Sequence, residues 1–223
     1  NVSGSKTWDD ADNQDGKRPA EITIYLYAEY GNGSTEKIDE RTVTAKDDWS
    51  WTFENLLVED TNGKIKYSIS EKKVDGYETF VSGYNVTNTH TPETTKVTVT
   101  KIWDDNNNQD GKRPAKITVE LLANGAFYKS AEIEKDDNGN WSYTFTKLPV
   151  YAKGEKIQYT VREVKVKDYN EPVINGDSTI GFTITNTYTP EKTSVTVTKQ
   201  WNDDDNRDGK RPTSINVQLL SNM

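Results

Sequence analysis

In the segment KVTVTKIWDD (96–105), Val97, Val99, Lys101 and Trp103 point one way in an extended strand, and Thr98, Thr100 and Ile102 point the other. Lys101 therefore sits on the apolar side. Glu163 follows Tyr159 and Val161 on one face of QYTVRE, and Asn186 follows Phe182 and Ile184 on one face of FTITN. The same three residue types recur earlier in the chain: Lys6 after Val2 and Gly4, Glu71 after Tyr67 and Ile69, Asn88 after Tyr84 and Val86. One such residue on an apolar face is ordinarily a strand end or a snorkelling side chain. Three, placed alike in two stretches free to diverge, call for another reading. Burying an isolated ion costs several kcal/mol, so these groups must pair, neutralise or react. A buried lysine is driven toward the neutral amine, a nucleophile. A buried glutamate is driven toward the neutral acid, which can donate to a carbonyl. Asparagine offers a carboxamide carbon with ammonia as leaving group, so the three together can form an amide bond between two side chains.

The elements that must position these residues form an array. KTWDDADNQDGKRPAEITIYL, from residue 6, returns as KIWDDNNNQDGKRPAKITVEL from 101 and as KQWNDDDNRDGKRPTSINVQL from 199, offsets of 101 − 6 = 95 and 199 − 101 = 98 residues. WSWTF (49–53) pairs with WSYTF (141–145), KYSISE (66–71) with QYTVRE (158–163), and GYNVTNTHTPE (83–93) with GFTITNTYTPE (181–191). This spacing predicts modules over 1–91 and 92–190 and the first part of a third over 191–223. The runs alternate, are rich in Val, Ile, Thr, Tyr, Phe and Trp, and are broken by Gly/Asn/Asp clusters. No stretch holds a helical period, so the fold class expected is all-β, a tandem of β-sandwiches. Trp8, Trp103, Trp201, Trp49 and Trp141 read as core, whereas Trp51, with Tyr143 as its counterpart, has no evident place. The joint HTPETTKV is short and carries a proline, which predicts partly restrained neighbours. The third unit has Lys199 but no counterpart of Glu163 or Asn186, so no bond is expected there. Its two strand-like runs cannot bury an apolar face alone.

The repeats resemble the B-type (Cna-B-like) repeat modules of Gram-positive surface adhesins, and the W-D-D-x-x-N-Q-D-G-K-R-P block is very similar to theirs. The resemblance implies prealbumin-like, inverse immunoglobulin-type sandwiches whose first and last strands are joined by a spontaneous intramolecular isopeptide bond. Carried over by position, Lys6 joins Asn88 with Glu71 assisting, and Lys101 joins Asn186 with Glu163 assisting. VSGSK in place of VTVTK predicts a weaker strand around Lys6. The function implied is a structural stalk on the bacterial cell surface, anchored to the wall through a region outside this sequence and presenting a separate ligand-binding region. Its partners would be neighbouring modules, and a host extracellular-matrix protein through another region, in a monomeric chain. The alternative is a module that itself grips a host matrix protein or glycan. Self-processing of this kind is a single turnover and not enzymology on a substrate.

Composition narrows the classes further. Among 223 residues, 36 Asp+Glu stand against 28 Lys+Arg, a net charge of −8 that argues against nucleic acid or an anionic membrane as partner. No run is long enough to span a bilayer. Cysteine is absent and His90 is the single histidine, so thiol chemistry, transition-metal sites and His-based catalysis lack their residues. No cofactor is called for. The acidic loop DDADNQDG invites a calcium reading, but counted from Asp10 its glycine falls seventh, not sixth. The twelfth position is Glu21, Lys116 and Ser214 in the three units. No metal is expected; a hydrogen-bonded Asx turn with its exit fixed by Pro19 and Pro114 is.

Overall fold

A computed structural model describes residues 1–221; Asn222 and Met223, the end of the expected third unit, lie outside the described residues. The first repeat supplies β1 (Val2–Asp9), β2 (Glu21–Glu29), β3 (Thr35–Thr44), β4 (Ser50–Phe53), β5 (Glu59–Asp60), β6 (Gly63–Lys64), β7 (Lys66–Glu71), β8 (Glu78–Ser82) and β9 (Asn85–Thr89). The second supplies β10 (Thr94–Asp104), β11 (Lys116–Ala123), β12 (Ala126–Glu134), β13 (Ser142–Pro149), β14 (Tyr151–Ala152), β15 (Glu155–Lys156), β16 (Tyr159–Glu163), β17 (Val173–Asp177) and β18 (Gly181–Thr187). Each repeat is thus the same nine strands.

In the first repeat a four-stranded sheet of order β4-β1-β9-β8 faces a three-stranded sheet of order β3-β2-β7; in the second the orders are β13-β10-β18-β17 and β12-β11-β16. The fold is all-β, a tandem of two-sheet sandwiches. Alternation drives it: along β2, Ile22, Ile24, Leu26 and Ala28 are buried, with less buried residues between them. Each repeat has its own core. One is built around Ile24, Leu26, Phe53 and Val86, the other around Val119, Leu121, Phe145 and Ile184. The first and last long strands are parallel neighbours in both repeats: β1 lies on β9 and β10 on β18.

The expected weakness around Lys6 takes a specific form. β1 is a complete strand of eight residues, but its parallel pairing with β9 covers four residue pairs, from Lys6↔Val86 to Asp9↔Thr89. β10 and β18 share six, beginning at Val99↔Phe182. Ahead of Lys6 the Ser5 N–H donates to the Asn85 side chain (3.0 Å), and Gly4 is tightly enclosed: a Cβ there would lie 1.6 Å from the Tyr84 carbonyl oxygen and 2.8 Å from the Trp51 ring. Trp51, opposite Gly4 on β4, turns into the core and is 5% exposed. Its counterpart Tyr143 lies opposite Val99 and is 42% exposed. The missing side chain of Gly4 gives Trp51 its place.

Residues Asn1–Thr189 form one compact unit, and the joint inside it is pinned. Buried Asp15 accepts a hydrogen bond from the Glu93 backbone N–H (2.8 Å) and lies 3.0 Å from His90 Nε2, while His90 Nδ1 lies 2.9 Å from the Gly76 carbonyl oxygen. Lys17 pairs with Glu93 at 2.7 Å. The turn between β14 and β15 packs on the acidic loop: Gly154 N–H donates to Gln14 O (3.0 Å), and a Cβ on Gly16 would come within 2.5 Å of Gly154 Cα.

Residues 190–223 form the second unit. Among its described residues there is no strand, only a short 3-10 turn at Asp204–Asn206. Trp201, expected in a core, is 39% exposed, because the facing sheet that would cover it has no residues in this unit.

Candidate functional site

The strand order brings each Lys, Glu and Asn together. Lys6 on β1 and Asn88 on β9 are carried by the four-stranded sheet, and Glu71 on β7 reaches in from the opposite sheet. Lys101 on β10, Asn186 on β18 and Glu163 on β16 repeat the arrangement. Asn88 is in register with Trp8 and Asn186 with Trp103, so each carboxamide stands two residues beyond the lysine on the neighbouring parallel strand, on the same inward face. The lysine backbones are fixed alike: Lys6 N–H donates to Trp49 O and Lys101 N–H to Trp141 O, both at 2.8 Å.

All six side chains are shut off from solvent. The lysine and glutamate side chains have no exposure, and Asn88 and Asn186 are 0% exposed. Lys6 Nζ donates to Glu71 Oε1 at 2.8 Å, and Thr79 Oγ1 donates to Glu71 Oε2 at 3.0 Å. Lys101 is held differently. It donates to Ile102 O at 2.9 Å and reaches Ile184 O at 3.5 Å, with Glu163 Oε1 3.8 Å away. No hydroxyl stands beside Glu163 as Thr79 does beside Glu71. Strand register aligns Phe80 with Val173, so Pro172 takes that place. The nitrogen and oxygen of both asparagine carboxamides have no hydrogen-bond partner, a costly state for buried polar atoms.

Burial sets the protonation of the groups. It pushes the Lys101 amine down to about 8, against the pull of the Glu163 charge. It lowers Lys6 as well, opposed by the hydrogen bond to Glu71. The Glu163 carboxyl is pushed up by burial, with the Lys101 charge working the other way. In the second site burial thus works against the charged form of both the amine and the acid. In the first, the ion pair is closed.

An aromatic wall covers each amine. Lys6 Nζ lies 4.5 Å from the Trp8 ring centroid and Lys101 Nζ 4.1 Å from that of Trp103. Trp8 is boxed edge-on by Trp49 and Tyr77, and Trp103 by Trp141 and Tyr169. Behind each indole, an arginine from the KRP segment grips the aspartate that opens the acidic loop. Arg18 binds Asp10 through two nitrogens (2.7 and 3.1 Å), and Arg113 binds Asp105 likewise (2.5 and 3.0 Å). Tyr77 and Tyr169 donate to the same carboxylates at 2.8 and 2.7 Å. Burial alone would raise these carboxyls, but the arginine, tyrosine and backbone bonds together hold both down at about 2. The loop is the Asx turn expected of it, Asn13 N–H donating to Asp10 Oδ1 and Asn108 N–H to Asp105 Oδ1. Sequence reasoning passed over Asp10, Arg18 and Tyr77 and their counterparts as site residues. Asp10, Arg18, Asp105 and Arg113 recur inside the repeated block, which was the available signal; Tyr77 and Tyr169 lie outside it.

The family profile of the Cna protein B-type domain matches residues 2–89, 97–187 and 195–223. The chain belongs to this family. It is 46% identical over 222 residues to a collagen adhesin of Staphylococcus aureus, covering 99% of this chain and 18% of that protein. A crystal structure of two B repeat units (B1B2) of the collagen binding protein of S. aureus superposes with a TM-score of 0.73 at 45% identity, covering 95% of this chain and 55% of that one. A single B repeat unit (B1) of the same protein gives a TM-score of 0.40 at 42% identity, covering 85% and 98%. The chain therefore spans under a fifth of the curated relative it matches, and its Cna B-type repeats resemble that protein's repeat units.

Proposed function

We propose that these repeats are stalk modules of a Gram-positive surface adhesin, stiffened by two self-formed isopeptide bonds, Lys6 to Asn88 and Lys101 to Asn186. The observation that carries this reading is the meeting, in each sandwich, of a buried lysine, a glutamate from the opposite sheet and an asparagine whose carboxamide has no hydrogen-bond partner. In the second repeat the neutral Lys101 amine attacks the Asn186 carboxamide carbon. The protonated Glu163 polarises the carbonyl oxygen, takes up the amine proton and passes one to the departing nitrogen. A C–N bond forms, a C–N bond breaks, and ammonia leaves. Glu71 does the same for Lys6 and Asn88 after accepting the proton of the closed ion pair. Folding supplies the proximity.

The placement suits a load-bearing role. Adjacent parallel end strands, pulled apart from their outer ends, load their hydrogen-bond ladder in shear. A covalent tie between them carries the force past the rest of the module. It withholds 186 − 101 = 85 residues, about 280 Å of extended chain, from being drawn out. The localisation that follows is extracellular and cell-wall attached, with the ligand-binding region and anchor elsewhere in the protein. Intact mass of the folded chain tests this reading. It should fall short of the sequence mass by one ammonia per complete repeat, two in all, and a mass equal to the sequence value would remove the central claim. Saturable binding of the chain to matrix proteins would favour the ligand-gripping alternative over the stalk.

A further inference from the structure

The loop arginine stands outside the Lys/Glu/Asn chemistry, yet the same four-residue arrangement surrounds the lysine three times. Lys101, Trp103, Asp105 and Arg113 have counterparts in Lys6, Trp8, Asp10 and Arg18, with the arginine Cζ 5.4 and 5.5 Å from the indole centroid. The third occurrence decides what holds it together. Residues 190–221 contain no strand, no counterpart of Glu163 and no counterpart of Asn186. Even so, Lys199 Nζ lies 4.1 Å from the Trp201 ring, Arg211 Cζ lies 5.8 Å from it, and Arg211 binds Asp203 through two nitrogens at 2.5 and 3.0 Å. The arrangement is therefore closed by thirteen consecutive residues, 199–211, and not by the sandwich. Its links are an Asx turn (Asn206 N–H to Asp203 Oδ1, 3.3 Å), a return bond (Arg211 N–H to Asn206 Oδ1, 2.8 Å) and a bidentate ion pair.

We infer that Arg113, clamped by Asp105, is a positioning residue for the cross-link: it holds the Trp103 indole against the Lys101 amine so that the amine is aimed along β10 toward Asn186 before that strand arrives. Arg18 and Asp10 do this for Lys6. This rests on the isopeptide reading above. Geometry gives the direction. Asn186 is in register with Trp103, not with Lys101, so the lysine must extend toward the indole's row to meet it. A flat cation seated near the indole and tied to a carboxylate fixes the ring plane, whereas a lysine in its place would supply charge without the two-pronged grip. Charge works in the same sense: besides burial, the nearby Arg113 guanidinium disfavours the protonated Lys101, leaving more of the nucleophilic amine.

The test is a pulse of cell-free synthesis of the full chain, chased at a series of pH values. Cross-linked second repeat is read by mass, with the first repeat as internal control. Arg113→Met should slow the second bond about tenfold and move its half-maximal pH upward, because the lysine loses a repelling charge while Asp105 is left unpaired. Arg113→Lys should restore the pH midpoint but not the full rate. A parent rate and profile in Arg113→Met, or a slower rate with an unmoved pH midpoint, overturns the inference. A parent chain lacking both bonds instead overturns the isopeptide reading itself. Should Arg113→Met fail to fold, the third repeat decides by NMR of the full chain. The Lys199 Cε protons should be shifted upfield by the Trp201 ring and return to ordinary positions in Arg211→Met. Ordinary positions in the parent, or an unchanged shift in the variant, overturn the local positioning.

Discussion

The two sandwiches place the same three side chains in the same strands and yet hold them in different states. In the first, Lys6 and Glu71 are in hydrogen-bond contact and Thr79 satisfies the other carboxylate oxygen. In the second, Lys101 leans on backbone carbonyls, Glu163 is 3.8 Å away, and Pro172 offers no hydroxyl. The surroundings diverge as well, with Gly4 and Trp51 where the second repeat has Val99 and an exposed Tyr143. Strand order and the Trp–Arg–Asp wall are what the two share. The comparison teaches that proximity is fixed by topology, while the contact between each lysine and its glutamate differs with the neighbours that each repeat supplies.

The largest effect expected is from removing the proposed proton relay. Glu163→Gln should leave the second repeat folded but unlinked, and Glu71→Gln should do the same to the first. Each restores the mass of one ammonia. Each also loses a constraint on the unfolded chain worth about 4–5 kcal/mol for a loop of this length, read as a fall in thermal midpoint of that repeat alone. A glutamine variant that closes its bond at the parent rate would reduce the glutamate to packing. Next in size is the packing difference. Gly4→Val drives a side chain into the Tyr84 carbonyl and the Trp51 ring, and should cost the first repeat about 2–3 kcal/mol with no change in the second. An unaltered melting transition would mean that β1 can shift without loss.

A third measurement should find no difference between the repeats. Asp10 and Asp105 are both held at about 2, below the ordinary carboxyl range. A depressed carboxyl contributes stability that is fully present above its unfolded value and is lost as pH falls through its folded value. Both repeats should therefore weaken together between about pH 4 and pH 2, by about 2 kcal/mol for each aspartate. Asp10→Asn and Asp105→Asn should flatten that acid limb equally, and an unequal response would place the loop among the differences. On the alkaline side stability again rises with pH, but there because a charge disfavoured by burial is given up. With the bond blocked by Asn186→Ala, Lys101 remains an amine whose folded value, about 8, lies below that of a free lysine. The folded state then binds fewer protons than the unfolded one, and the second repeat should gain stability as pH rises from about 8 toward 10. A flat profile there would show that the lysine stays charged when buried. The smallest effect expected is kinetic. Thr79→Val leaves the Glu71 carboxylate one hydrogen bond poorer, so Lys6 hands over its proton more readily and the first bond should form a few-fold faster, toward the rate of the second. A slower bond would mean that Thr79 assists the reaction.

The repeats, the all-β class and the inward placement of Lys6, Lys101, Glu71, Glu163, Asn88 and Asn186 were determined by the sequence alone. Alternation along a strand follows from bond geometry and needs no knowledge of the partner strand. The acidic loop was legible for the same reason, since an Asx turn closes within a few residues. Three features were decided only by tertiary structure. Glu71 and Glu163 come from the sheet opposite their lysines, which depends on how distant strands associate. Trp51 finds its place through its register with Gly4 and the approach of the Tyr84 carbonyl, a contact across eighty residues of chain. The closed ion pair at Lys6 and the open one at Lys101 go with a further difference, the Thr79 hydroxyl on Glu71 against Pro172 in the second repeat, which the site meets only because β8 and β17 fold onto the sheet edge. A short-range pattern is written in covalent geometry; which distant side chain completes a buried site is settled by the packing that closes around it.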